Sequence, residues 1–260
     1  MKAVVLGGKG FVGSALVREA ERREIECLAV DLDNYRECRG TECDLFINAA
    51  GNSRKYLAAR EPAEDFRISL GGLISSFGDF RFSHYVYISS VDVYPDPSSP
   101  ARTREEAVID VASVSNYGLH KYLGEQMVRH YASSWLILRL GGILGPGLKK
   151  NPVYDLLHGI PLRVSEESRY QYLDAGFFSG AVFALAAAGR WGEVYNACGR
   201  GTVALREVRR MLDAPPEPAP ASVPVEHYRI NNDKLGEFTE IPATADTVRD
   251  FIAAREARQP

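Results

Sequence analysis

A chain of 260 residues with 45% hydrophobic and 25% charged side chains is ordinary globular material, long enough for one sizeable core or a main domain with a smaller appendage. Its formal net charge of -3 gives no basis for binding a nucleic-acid backbone or an anionic membrane surface. The cysteines Cys27, Cys38, Cys43 and Cys198 form no CxxC pair and no zinc-ligand spacing with histidine, so they read as reduced thiols without a metal.

The first strand is predicted at Ala3-Val4-Val5-Leu6, an uninterrupted apolar run of the kind a parallel strand shows when helices cover both faces. A glycine turn follows, and residues 12–23 then place Val12, Leu16 and Ala20 at helical spacing. Residues 25–30 return to strand character before Asp31, completing a βαβ unit. The stretch 31–44 is too short for a full helix and strand, so one βα element is expected to be truncated. Strands are predicted at 45–47, 85–88 and 135–140, with helices over 62–80 and 117–133 between them. This alternation predicts an α/β chain with a Rossmann-type doubly wound parallel sheet.

From Gly141 the rhythm gives way to turns and short helices, with a proline-rich linker at 213–224 and a closing helix over 244–258. The expected division is a dinucleotide-binding domain at 1–145 and a smaller, mixed, partly interleaved substrate-binding portion at 146–260. A late strand near 193–197 is expected to complete the sheet. The start of the chain carries no stretch resembling a signal peptide, and the longest apolar run of the second half, 181–188, is too short to span a bilayer. A cytoplasmic location is expected.

Gly7, Gly10 and Gly13 stand between a buried strand and an amphipathic helix, the setting that a dinucleotide fingerprint requires. The first permits a tight turn, the second a close backbone approach to a pyrophosphate, and the third close helix packing, while the helix N-terminus offers N–H donors. Asp31 ends the second strand, where a carboxylate accepts from adenosine ribose hydroxyls and repels a 2′-phosphate, which favours NAD over NADP. Lys9, inside the turn, pulls the other way, because a cation there is able to meet a phosphate.

Tyr117 and Lys121 lie four apart on one predicted helix face. An ammonium beside a phenol favours the phenolate, so the pair predicts a tyrosine whose pKa falls toward neutrality and which takes or returns a hydroxyl proton during hydride transfer. Ser89 and Ser90 close the strand at 85–88, at the carboxyl end where open α/β sheets bind ligands.

These segments together resemble an extended short-chain dehydrogenase/reductase of the NAD-dependent epimerase/dehydratase family. The resemblance runs through the glycine turn, Ala49-Ala50-Gly51, Ile88-Ser89-Ser90-Val91-Asp92-Val93-Tyr94, Tyr117 to Glu125, and Leu138-Arg139 leading to Gly145-Pro146-Gly147. It implies Ser90, Tyr117 and Lys121 as catalytic residues, with Lys121 also on the nicotinamide ribose. It implies that Phe11 and Val12 approach the pyrophosphate and that Ala49, Ala50 and Gly51 line the cofactor cleft. Ser69 falls where the family commonly has an asparagine near the cofactor. The resemblance further implies NAD as cofactor, a nucleotide sugar as substrate and a homodimer built on the helices over 62–80 and 117–133.

Arg139, Lys149, Lys150, Arg163, Arg169 and Arg229 are open to two readings, solvated surface or charge for a substrate pyrophosphate. Dehydratase-type members place two acids after the serine or threonine, whereas here Val91 intervenes and Asp92 alone remains. The expected activity is therefore oxidation of a sugar hydroxyl, with return of the hydride to give an epimer. The alternatives are a reductase or dehydrogenase with net cofactor turnover, and a non-catalytic dinucleotide-binding regulator.

Overall fold

The computed structural model describes residues 1–52, 55–212 and 223–256, so nearly all of the predicted linker lies outside the described residues. The first half of the chain forms β1 (Lys2–Leu6), α1 (Phe11–Arg22), β2 (Glu26–Val30), β3 (Glu42–Asn48), α2 (Lys55–Arg60), α3 (Pro62–Phe66), α4 (Gly72–Asp79), β4 (Arg81–Ser90), α5 (Asn116–Tyr131) and β5 (Trp135–Leu140). The second half adds β6 (Gly142–Leu144), α6 (Pro152–Leu157), β7 (Arg169–Tyr170), β8 (Tyr172–Asp174), α7 (Ala175–Ala187), β9 (Glu193–Ala197), β10 (Val203–Ala204), α8 (Leu205–Met211), α9 (Asp233–Phe238) and α10 (Thr244–Glu256). The chain divides into two compact units, one of residues 1–95, 108–140 and 176–195, the other of 96–107, 141–175 and 196–260.

The first unit is built on a six-stranded sheet ordered β2-β1-β3-β4-β5-β9, whose pairings β2–β1, β1–β3, β3–β4 and β4–β5 are parallel. The chain moves outward from β1 to β2 and then crosses to β3 on the other side, so the strand order reverses between β1 and β3. That reversal opens a crevice at the strands' carboxyl ends, where folds of this kind take ligands. β1 is buried from Ala3 to Leu6 and β3 from Leu45 to Asn48, as strands covered by helices on both faces are. No helix intervenes between β2 and β3, as the short spacing predicts.

The core gathers Val4, Leu6, Phe46, Leu73, Tyr85 and Ile137. Phe46 and Phe77 stack on Tyr85 with ring centroids 5.2 and 4.8 Å away. The Tyr85 hydroxyl is satisfied in this dry setting by Asn48 Nδ2 at 2.8 Å and Ser76 Oγ at 2.9 Å, as a buried polar group requires.

The helix predicted over 62–80 is instead α3 and α4 joined by a π-helical turn at Arg67–Gly71, and α2 precedes them. A π turn inserts an extra residue into the ladder and marks functional places in helices. Here it carries Ser69 and brings it to the buried Asp65.

The second unit has two small sheets, the parallel pair β6–β8 and the antiparallel pair β7–β10. Leu144, Val153, Tyr172, Val208 and Val248 form part of its own core. Among the described residues no helix is long and apolar enough to cross a membrane.

Candidate active site

The chain leaves β1 through Gly7 at a φ of +79°, a conformation that glycine adopts without strain. A Cβ on Gly7 would meet Ala50 N at 2.8 Å, so the turns after β1 and β3 touch backbone to backbone. A Cβ on Gly13 would stand 2.0 Å from the Gly7 carbonyl oxygen, so the first turn of α1 lies directly on the glycine turn. Gly10 caps α1 without a side-chain hydrogen bond, and the first turn holds no acid. The positive end of α1, with the N–H groups of Phe11, Val12 and Gly13, therefore carries no capping side chain, which fits a pyrophosphate.

Asp31 is brought to this turn. Its carboxylate accepts from the Lys9 amide at 3.2 Å and from the Leu32 amide at 2.8 Å. The Lys9 ammonium pairs with the Asp33 carboxylate. Ala49 and Ala50 follow β3, held by Ala49 N–H on Leu6 O at 2.9 Å and Ala50 N–H on Asn48 Oδ1 at 3.0 Å. Ser69 stands beside Gly51, and its hydroxyl accepts the Asn52 amide at 3.3 Å. The predicted cofactor residues thus converge on one end of the sheet.

Tyr117 and Lys121 are carried by α5, which Ser115 caps by accepting the Gly118 amide at 3.2 Å. A Cβ on Gly118 would lie 2.0 Å from the Asp92 carbonyl oxygen, so only glycine lets the start of α5 sit against the turn after β4. That approach brings the Tyr117 phenol beside Ser90, whose hydroxyl favours the ionised phenol. Ser90 Oγ also donates to Asp92 Oδ2 at 2.9 Å. Lys121 is buried, donates to the Ile88 carbonyl at 3.0 Å and lies 5.4 Å from the Tyr87 ring centre.

The expected tuning of Tyr117 is not what the structure shows. Tyr117 is partly exposed over the whole residue, yet burial of its phenol is the largest influence on it. Burial pushes the phenol above the ordinary tyrosine range, and the Asp92 carboxylate pushes the same way. The cation that opposes them is Lys55, the first residue of α2, with help from the neighbouring Ser90 hydroxyl. Lys121 is itself desolvated, and burial lowers it to about 8 against the opposing pull of Asp65, Glu125 and Asp92.

Two buried polar groups beside the site escape sequence reasoning. Asp65 is fully buried and accepts from Asn52 Nδ2 at 2.6 Å, with His120 Nδ1 2.5 Å from its other oxygen. Glu125 is also fully buried and binds Arg139 through Nε at 3.0 Å and Nη2 at 2.8 Å, while Ser89 Oγ donates to it at 2.6 Å. Arg139 donates as well to the Tyr94 hydroxyl at 2.7 Å, so it is neither solvated surface nor a substrate contact but the partner of a buried acid. The helical spacing of Lys121 and Glu125 carries the only sequence signal for the second cluster. The first joins residues far apart in the chain.

The fold has close structural relatives. UDP-glucose 4-epimerase of Thermotoga maritima, solved with UDP-glucose, is 17% identical with a TM-score of 0.79 over 100% of both chains. UDP-glucose 4-epimerase of Thermus thermophilus, in complex with NAD, is 20% identical with a TM-score of 0.75 over 99% of this chain and 100% of that one. dTDP-4-dehydrorhamnose reductase of Bacillus anthracis, in complex with NADP, is 18% identical with a TM-score of 0.77 over 97% and 98%. No curated protein sequence matches the chain significantly. The model of the NAD dependent epimerase/dehydratase family matches residues 3–165, which include the glycine turn, Ser90, Tyr117 and Lys121. With well over half of its length so matched, the chain belongs to the NAD dependent epimerase/dehydratase family.

Proposed function

We propose that the chain is an NAD-dependent oxidoreductase/epimerase that acts on a sugar hydroxyl or carbonyl of a nucleotide sugar, with Tyr117 as acid/base. The observation that carries this reading is the close approach of α5 to the turn after β4, which sets the Tyr117 phenol beside Ser90 at the sheet's carboxyl end, the end that also carries a glycine-walled helix terminus. Gly7, Gly10, Phe11, Val12 and Gly13 hold the pyrophosphate, Asp31 holds the adenosine ribose, and Ala49, Ala50, Gly51 and Ser69 line the cleft. Lys121 holds the nicotinamide ribose. When bound, a nicotinamide dinucleotide supplies hydride exchange with a sugar carbon. Ser90 donates to the sugar oxygen, and Tyr117 gives or takes its proton. That substrates of the structural relatives are nucleotide sugars supports the same substrate class here.

The protonated resting state of Tyr117 favours a second reading, net reduction of a keto-sugar, because a neutral phenol is ready to donate to a carbonyl oxygen. A panel of UDP- and dTDP-linked sugars and keto-sugars tells the two apart. Isomer formation without change in reduced-nicotinamide absorbance supports the epimerase, and stoichiometric cofactor consumption the reductase. Neither, across the panel, leaves the dinucleotide-binding regulator as the surviving reading.

NAD is favoured because Asp31 is aligned by two backbone amides and the nearby cation, Lys9, is neutralised by Asp33. Asp31→Ala is expected to narrow the preference for NAD over NADP by about tenfold, the equivalent of about 1.4 kcal/mol. Parallel fluorescence titrations with the two reduced cofactors measure it, and an unchanged ratio removes Asp31 from the ribose.

A further inference from the structure

We propose that Lys55 is a positioning residue for Tyr117, a lysine on α2 that acts through Asp92 and Ser90 to let the phenol oxygen ionise. This rests on the reading of Tyr117 as the acid/base and extends it to a residue outside the Tyr117–Lys121 helix.

Four side chains form one line. Lys55 Nζ donates to Asp92 Oδ1 at 2.6 Å, Ser90 Oγ donates to Asp92 Oδ2 at 2.9 Å, and the contact of Gly118 with the Asp92 carbonyl sets the Tyr117 phenol beside Ser90. The Asp92 amide also donates to Ser90 Oγ at 3.2 Å, which fixes the hydroxyl in place. Ser90 owns a single proton and has two neighbours able to take it, the Asp92 carboxylate and the phenolate form of Tyr117. When Tyr117 is neutral the serine proton goes to Asp92. When Tyr117 is ionised the proton is needed on the phenolate, and an unneutralised carboxylate would hold it back.

Lys55 decides this competition. Its hydrogen bond and charge weaken Asp92 as an acceptor, releasing the serine proton toward the phenolate, and its field offsets that of Asp92 on the same oxygen. The pair is asymmetric in exposure, with the Lys55 side chain 54% exposed and the Asp92 side chain 11%. The carboxylate is thus desolvated enough to be felt by Tyr117. Among the described residues Asp65, from α3, also disfavours the phenolate, and Lys121 stands one turn along α5, held on the Ile88 carbonyl. Neither touches Asp92 by a hydrogen bond among those described, so neither repeats what Lys55 does.

The test reads the phenol itself rather than turnover. Difluorotyrosine placed at position 117 ionises in an accessible pH range and reports its state by fluorine NMR. Lys55→Met is expected to raise the titration midpoint by about one pH unit, and Lys55→Arg to restore it. Asp92→Asn is expected to lower the midpoint, because it removes the carboxylate that holds the serine proton. A pair that only braces the fold would move both midpoints the same way or leave them fixed, and either result overturns the proposal. Failure of the acid/base reading shows elsewhere, as full turnover in Tyr117→Phe, so the two outcomes are separable.

Discussion

Tyr117→Phe is expected to lower turnover by about a thousandfold while dinucleotide affinity stays within about threefold. The ring is retained, so the packing at the start of α5 is preserved, including the close approach of Gly118 to the Asp92 carbonyl. What disappears is one oxygen, the atom beside Ser90 that, on the reading proposed above, moves a proton to or from the sugar oxygen. On the same reading the pyrophosphate is held by the turn after β1, on a different strand of the sheet from the one that carries Ser90, so the grip does not include that oxygen. Turnover on the sugar identified by the panel, set beside a fluorescence titration with reduced cofactor, separates the two quantities. Undiminished turnover ends the acid/base assignment; a parallel collapse of cofactor affinity shows instead that the phenol mainly holds the dinucleotide.

The direction of the Tyr117 shift gives this variant a second signature. Because burial and Asp92 both favour the neutral phenol, the wild-type enzyme is poised to donate a proton at neutral pH. Oxidation of a hydroxyl needs the phenolate and gains with rising pH, whereas reduction of a carbonyl does not. The phenylalanine variant loses that contrast along with the activity.

The parts of the site that are legible in the sequence are those whose geometry is local. Gly7, Gly10 and Gly13 announce themselves because a strand, a tight turn and a helix fall within a couple of dozen residues, and the clashes a side chain would make at Gly10 and Gly13 are inside that segment, whereas the contact of Gly7 with Ala49 and Ala50 is not. Tyr117 and Lys121 are paired by helical spacing alone. The chemistry between them is not local. Whether the lysine lowers the phenol depends on how deeply each is buried, and burial is set by β4 and by α2 and α3, which the spacing does not contain. Lys55 meets Asp92 across 37 residues and His120 meets Asp65 across 55, contacts that exist only once the sheet order brings the loops together.

The fold follows the same rule. The short span before β3 leaves no room for a full helix and strand, and the alternation of elements points to a doubly wound parallel sheet. The π turn at Arg67–Gly71 leaves no comparable trace, since an extra residue in a helix barely disturbs a pattern already loosened by Gly71 and Gly72. Arg139 shows the limit from the other side. Read singly it is a cation near a substrate end, and only the fully buried Glu125 explains it.

Lys121→Met is expected to make the dinucleotide-free protein more stable at pH 7 by about 2 kcal/mol while removing turnover, a trade of function against stability. Lys121 is buried, and burial lowers its pKa to about 8 from an ordinary 10.5, a shift that corresponds to about 3 kcal/mol. The sign follows from which form the fold prefers. A depressed lysine is held against its charged form, so the penalty is fully present below about 8 and fades as pH climbs to about 10.5, where the unfolded chain also gives up the proton. Wild-type stability therefore rises across that window relative to the variant. Methionine fills much the same space but cannot donate to the Ile88 carbonyl, which costs about 1 kcal/mol at every pH. The two stability curves should thus cross, the variant above the wild type at pH 7 and slightly below it beyond the upper end of the window. Urea unfolding at a series of pH values measures this directly. A difference that stays constant with pH would show that packing, rather than a strained ammonium, separates the two proteins, and that Lys121 does not wait in the empty site as a charge that only a bound dinucleotide repays.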